Sequence, residues 1–288
     1  MSNALSYIAS NTRQHDRDRF LCSLFAPKEM REGLFAILAF NIEVSKTREM
    51  VHDELLGQIR LQWWRDVIEL LYDNSSGKKI NHLVVSELAV AIEKFKLSRT
   101  LFDQLIDSRS RDLFDSPFND ETELNEYIYG TSATLSMLLL EILCPTTNIL
   151  LRREIEAAQY VGIAWALTGI VRASTVLAKQ KRIYIPQTLM DEFGVDCADF
   201  YALNATNGIL NATAYIVNLA RIEITKAREI LQGKIKRHYL ALLLQASLAE
   251  MYLNRIELSG FDPFSPKIET GRAWRQIKIA FMAARGSF

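Results

Sequence analysis

Glycine and proline are scarce, 12 and 6 residues in a chain of 288. Most of the sequence between them keeps a helical period, so an all-α architecture is favoured over any sheet class. Cysteine is scarcer still. Cys22, Cys144 and Cys197 lie far apart without C-x-x-C spacing, which argues against a zinc site and fits buried thiols in a reducing compartment. Net charge is absent, because 34 basic residues balance 34 acidic ones; bulk electrostatics leave no footprint for nucleic acid, and no such partner is expected. His15, His52, His82 and His238 form no i,i+4 pair, so no zinc or triad reading stands on them. No apolar run reaches the ~18 to 20 residues that span a bilayer. The segments from Thr134 to Leu143 and from Val161 to Val171 therefore read as buried helix. Residues 1–15 read as a polar N-terminal segment lacking the apolar stretch of an export signal. The expected location is cytoplasmic, at the inner face of a membrane if one amphipathic face or basic patch gives peripheral contact.

What is present is helical pattern. Leu34, Phe35, Leu38 and Ile42 recur at spacings of three and four between Pro27 and about Met50, and a second helix is expected from about Asp53 to Tyr72. Further helices are expected over roughly 81–95, 98–114, 120–143, 148–180, 208–233 and 238–257, with Ser98 and Asp120 as caps and Pro117 and Pro145 as breaks. The stretch Asp73-Asn74-Ser75-Ser76-Gly77 reads as a loop. Arg182-Ile183-Tyr184-Ile185-Pro186 reads as an extended link and not a sheet strand. With no repeat and no low-complexity linker, residues 16–288 form one domain of roughly ten helices.

Three local patterns in order carry a resemblance. They are Leu24-Phe25-Ala26-Pro27 with Leu38-Ala39-Phe40-Asn41; Trp64-Arg65 within Arg60-Leu61-Gln62-Trp63-Trp64-Arg65; and Leu167-Thr168-Gly169-Ile170-Val171-Arg172 continuing through Arg182-Ile183-Tyr184-Ile185-Pro186-Gln187. Together they resemble the squalene/phytoene synthase family of head-to-head prenyltransferases. The resemblance implies an isoprenoid-synthase-like helical bundle around a central apolar cavity, with two D-x-x-x-D motifs facing across its mouth. Carboxylates at i and i+4 share a helix face, and opposed pairs of them can hold the Mg2+ that neutralises a diphosphate leaving group.

At those motif positions the sequence departs from the family pattern. Ser45 stands for the first aspartate and Glu49 for the last, with Lys46 and Arg48 beside them. Ala173 and Leu177 stand for both aspartates of the second motif, with Val176 at the intervening acidic position. Methyl and isobutyl groups cannot coordinate Mg2+, and the hydroxyls of Ser174 and Thr175 leave its charge uncompensated. No catalytic set is intact on this reading, and no metal or cofactor is expected unless the chain is an active prenyltransferase, which would need Mg2+. Ser45 and Ala173 are expected to face one another across the mouth.

Other candidates carry alternatives. Glu43 and Glu49, six apart, lie on different faces of a regular helix and read as solvated or ion-paired. Arg48 reads as a phosphate contact or an ion pair. Arg172 with Lys179, Lys181 and Arg182 reads as an anion site for a lipid headgroup or acidic partner, left positive by the missing aspartates, or as the basic end of a long helix. Phe40, Trp64, Tyr127, Trp165 and Tyr184 are candidates to line the cavity, although Trp63, Trp64 and Trp165 fit core packing as well.

Within the family, Ala39-Phe40-Asn41 with Glu43 and Arg60-x-Gln62-Trp63-Trp64-Arg65 are similar to a divergent branch associated with assembly of respiratory complex I. That resemblance implies a non-catalytic factor whose partner is a protein, complex I subunits or assembly intermediates, with a lipid or isoprenoid as a ligand of the old cavity. Two alternatives stand beside it: an active prenyltransferase condensing two isoprenoid diphosphates, and a lipid-binding protein.

Overall fold

The computed structural model describes residues 5–51, 53–73, 80–144, 151–232 and 237–288. Among them the chain is all-α, without a strand. The helices are α1 (Tyr7–His15), α2 (Arg17–Ser23), α3 (Lys28–Ser45), α4 (Thr47–Met50), α5 (Glu54–Tyr72), α6 (Leu83–Phe95), α7 (Arg99–Arg109), α8 (Glu121–Ile128), α9 (Thr134–Leu143), α10 (Arg152–Lys179), α11 (Gln187–Phe193), α12 (Cys197–Tyr201), α13 (Asn207–Leu231), α14 (Leu240–Leu258) and α15 (Arg272–Arg285). Local chemistry sets many of their ends. The carboxylates of Asp16, Asp53, Asp120 and Asp196 accept from backbone N–H groups in the first turns of α2, α5, α8 and α12. Gly194, at φ +67°, closes α11 in the left-handed conformation.

Helix α10 is the centre of the bundle. It packs against α9, α13, α14 and the turn at Tyr129–Ala133, with Val161, Ala164, Leu167 and Val171 buried. By length and composition it could cross a bilayer, but most of its apolar surface is covered by protein, as expected of a core helix. Cys22 and Cys144 are buried free thiols, and Cys197 is half-buried.

Three expectations need correction. First, the helix expected through Met50 breaks at Lys46. There the Ser45 hydroxyl donates to the Ile42 carbonyl, and the Lys46 carbonyl accepts from Glu49 and Met50 to start α4. Serine competes with the helix ladder in this way. Second, the helix expected over 120–143 is split by a π-helical turn at Tyr129–Ala133. The Thr131 and Thr134 hydroxyls donate to the Tyr127 and Tyr129 carbonyls across it. Third, the polar segment 1–15 is not separate from the domain. Its residues 7–15 form α1, which buries Ile8, Ala9 and Thr12 against α3, a narrow apolar face that polar composition hides. The link from Arg182 to Pro186 forms neither helix nor strand, with Ile183 and Ile185 buried. Pro145, His52 and residues 74–77 of the expected loop lie outside the described residues.

Two glycines of α10 give opposite predictions. A Cβ on Gly162 would come within 2.6 Å of the Ala133 Cα and the Ser132 carbonyl of the π turn, whereas one on Gly169 would meet nothing within 4 Å. Gly162→Ala is expected to destabilise by about 1–3 kcal/mol through overpacking against backbone. Gly169→Ala is expected to stabilise by roughly 0.5–1 kcal/mol through lost chain entropy. Urea unfolding midpoints of the two variants check this; equal shifts would show that α10 does not sit tightly on the turn.

Candidate functional site

A cavity of about 220 Å³ lies between α3, α7, the π turn and α10. It is reached by Arg19, Asn41, Arg109, Tyr127, Trp165, Ala173, Leu177 and Tyr184. A larger cleft of about 620 Å³ adjoins it beneath α2 and α15, with Arg19 and Trp165 lining both.

Of the expected lining residues, Tyr127, Trp165 and Tyr184 reach the cavity. Phe40 and Trp64 do not. Both are fully buried and pack edge-to-face on each other at 5.2 Å, with Phe102 completing the cluster, so they are core between α3, α5 and α7. Ala173 and Leu177 line the cavity from α10. From α3 the cavity is lined by Asn41, one turn before Ser45, and Ser45 itself is not among the lining residues. Glu49 is exposed on α4, beyond the break at Lys46. Neither Ser45 nor Glu49 is among the residues that line the cavity. Glu43 pairs with Arg60 at 2.9 Å, the structural ion pair expected of it.

The expected anion cluster is dispersed. Arg48 donates twice to Asp115, at 2.8 and 2.9 Å. Arg172 pairs with Glu269 at 2.8 Å and Asp18 at 3.3 Å, and lies 3.6 Å from the centre of the Tyr252 ring. Arg182 is buried, donating to the Asp112 carbonyl and the Tyr184 hydroxyl and lying 3.7 Å from Asp115. Lys179 and Lys181 remain exposed. The expectation of an uncompensated basic mouth is thus corrected: Asp18, Asp115 and Glu269, from distant parts of the chain, neutralise the arginines.

The polar centre of the site joins the expected Tyr127 and Tyr184 to Arg109, which the sequence did not single out. Asp112, nearly buried, accepts from the Tyr127 and Tyr184 hydroxyls at 2.7 Å each on Oδ1 and from Arg109 at 3.0 Å on Oδ2. Arg109 also donates to the Tyr127 oxygen at 3.0 Å and reaches Asn41 Oδ1 at 3.4 Å. Each phenol thus donates to the carboxylate and accepts from a guanidinium, Arg109 for Tyr127 and Arg182 for Tyr184. Burial opposes the charge on Arg109, but the Tyr127 oxygen and Asp112 outweigh it and raise its pKa. Burial, reinforced by the Asp112 charge, holds both phenols above the ordinary tyrosine range. On the opposite wall Arg19 is anchored by Asp16 at 2.9 Å and Gln245 at 3.1 Å, and faces the Trp165 ring at 5.3 Å. The i,i+3 spacing of Arg109 and Asp112 was the available signal for the pair.

This donor set does not suit Mg2+. The ion prefers several carboxylate or phosphate oxygens, whereas the lining offers two guanidiniums, an amide and hydroxyls, and no carboxylate. Asp112, behind it, has both oxygens engaged. Among the described residues no three His, Cys, Asp or Glu side chains converge as ligands. Asp107 is exposed and paired with Arg65 at 2.8 Å.

Removing the hub should be costly. Asp112→Ala leaves the Arg109 charge buried without its carboxylate and is expected to destabilise by about 3–5 kcal/mol in denaturant titration. The raised phenol pKa values fix a pH dependence. Below about pH 10 the stabilisation is fully present; above it the unfolded tyrosines ionise while the folded ones resist, so stability falls as pH rises. Tyr127→Phe with Tyr184→Phe should flatten that alkaline fall, and an unchanged slope would remove the two phenols from the account.

Comparison with known proteins places this geometry. Over 264 residues the chain is 27% identical to human "NADH dehydrogenase (ubiquinone) complex I, assembly factor 6", covering 91% of this chain and 77% of that protein. It is 27% identical over 277 residues to the phytoene synthase of Thermus thermophilus, covering 95% and 91%. The crystal structure of a squalene synthase from Alicyclobacillus acidocaldarius matches the fold with a TM-score of 0.75 at 20% identity, covering 88% of this chain and 93% of that one. The squalene/phytoene synthase family model matches residues 12–278, and the chain belongs to the squalene/phytoene synthase family.

Proposed function

We propose that this chain is a non-catalytic member of its family that assists the assembly of respiratory complex I by binding a subunit or an assembly intermediate. The observation that carries the non-catalytic part is the character of the cavity wall. Ala173 and Leu177 present methyl and isobutyl groups from α10, and Arg19 and Arg109 present guanidiniums. Ionising a prenyl diphosphate needs metal-bound carboxylates at such a mouth. Guanidiniums could hold an anionic headgroup, but each here already has a carboxylate partner. The assembly role rests on similarity to proteins described as complex I assembly factors, human and otherwise.

The rival reading, prenyl transfer, is favoured by the similarity to a phytoene synthase. The two separate cleanly. Purified protein given farnesyl or geranylgeranyl diphosphate with Mg2+ is expected to release no pyrophosphate above background, and chelator-sensitive release would sink the non-catalytic reading. Deletion of the gene in its own organism is expected to lower NADH:ubiquinone oxidoreductase activity, with subassemblies accumulating on native gels. Complex I of normal amount and activity in the deletion strain would refute the assembly role.

A further inference from the structure

Helix α15 has two apolar faces, and the fold uses only one. Ile279 and Ala283 turn inward and are buried, and Arg275 lies over the Tyr252 ring at 4.4 Å. Trp274, Ile277 and Phe281 turn outward and are 66%, 61% and 53% exposed. Their spacing of three, four and seven makes one continuous ridge. Beside it, between α14 and α15, runs a groove of about 400 Å³ whose wall includes Arg255, Lys267, Trp274, Lys278 and the 86% exposed Leu258. No acidic side chain lines this groove, and α15 itself carries basic residues and no acidic one. Carboxylates on the adjoining elements are engaged with other arginines: Glu250 with Arg228 at 2.9 Å, Glu257 with Arg221 at 2.6 Å and Glu269 with Arg172 at 2.8 Å. Among the described residues Arg255, Lys267, Lys278 and Arg285 have no ion-pair partner; Arg285 lies over the Phe281 ring at 4.1 Å.

We infer that the outer face of α15 and the adjoining groove dock on an anionic phospholipid surface. The ridge of Trp274, Ile277, Phe281 and Leu258 enters the boundary between headgroups and acyl chains, and Lys267, Lys278 and Arg285 meet the lipid phosphates. An exposed apolar stripe can also serve a protein groove. Charge decides between them here, because the groove lining and α15 carry basic side chains and no acidic one, while the acidic residues beside them are paired with other arginines, and a membrane of anionic lipid complements that surface. Tryptophan at the edge of such a stripe is the residue suited to that interface. A second group of exposed apolar side chains, Met50 at the end of α4 with Leu55 and Ile59 at the start of α5, has Glu49, Asp53 and Glu54 beside it, so the same lipid would repel it. The inference is independent of the assembly role.

The test is sedimentation of the full chain with phosphatidylcholine vesicles, with and without phosphatidylglycerol, at low and physiological salt. Binding is expected only with phosphatidylglycerol and should weaken as salt rises. Trp274→Ser with Phe281→Ser, and separately Lys267→Ala with Lys278→Ala, should each lower the partition coefficient at least about tenfold. Leu55→Ser with Ile59→Ser should leave it unchanged. All these side chains are exposed, and circular dichroism with thermal melting verifies that each variant is folded. A blue shift of Trp274 emission on adding vesicles, absent in Trp274→Phe, would place the ridge in lipid. Failure of the wild type to bind anionic vesicles, equal binding to neutral ones, or equal binding by the α15 variants would overturn the inference. So would loss of a bound protein in the α15 variants with vesicle binding intact, which would make the ridge a protein interface.

Discussion

The burial of α10 is the constraint on which the rest of the fold depends. A helix of 28 residues with apolar side chains around much of its circumference must be sheathed by protein, and α9, α13, α14 and the π turn form the sheath. Gly162 lets the backbone of the π turn approach closely. Farther along, Gly169 and Ala173 are too small to fill the space between α10 and its neighbours, and that space is the cavity. The core and the candidate site are therefore two stretches of one helix, distinguished by side-chain volume.

Charge imposes the second condition. Arg19, Arg109, Arg172 and Arg182 all point into the protein at or near the two cavities, where an uncompensated cation would be costly. Each has found a carboxylate: Asp16, Asp112, Asp18 with Glu269, and Asp115. The zero net charge of the chain is thus reproduced locally at the site, and a ligand anion would have to compete with carboxylates already in place. A positive surface without such partners lies elsewhere, along α14 and α15.

Much of the architecture was legible in the periodicity. The helices expected over 53–72, 208–233 and 238–257 appear within two residues as α5, α13 and α14. The departures arose where hydroxyl side chains compete with the helix ladder, at Ser45 and at Thr131 and Thr134. Such competition leaves the hydrophobic period intact, so periodicity cannot register it. Of the aromatic candidates, Tyr127, Trp165 and Tyr184 line the 220 Å³ cavity, whereas Phe40 and Trp64 pack in the core. An aromatic side chain on an apolar face serves core and cavity alike, and only the neighbours it meets distinguish them.

By itself the sequence determined the all-α class and the family, because these follow from period and motif order. Tertiary structure alone decided which arginines are neutralised. Arg48 and Asp115, or Arg172 and Glu269, stand 67 and 97 residues apart, and no local pattern joins residues at that distance. It decided also that Asp112 gathers two tyrosines and an arginine, and that the outer ridge of α15 stays uncovered. Both depend on which surfaces the packing of α10 leaves facing one another and which it leaves facing water.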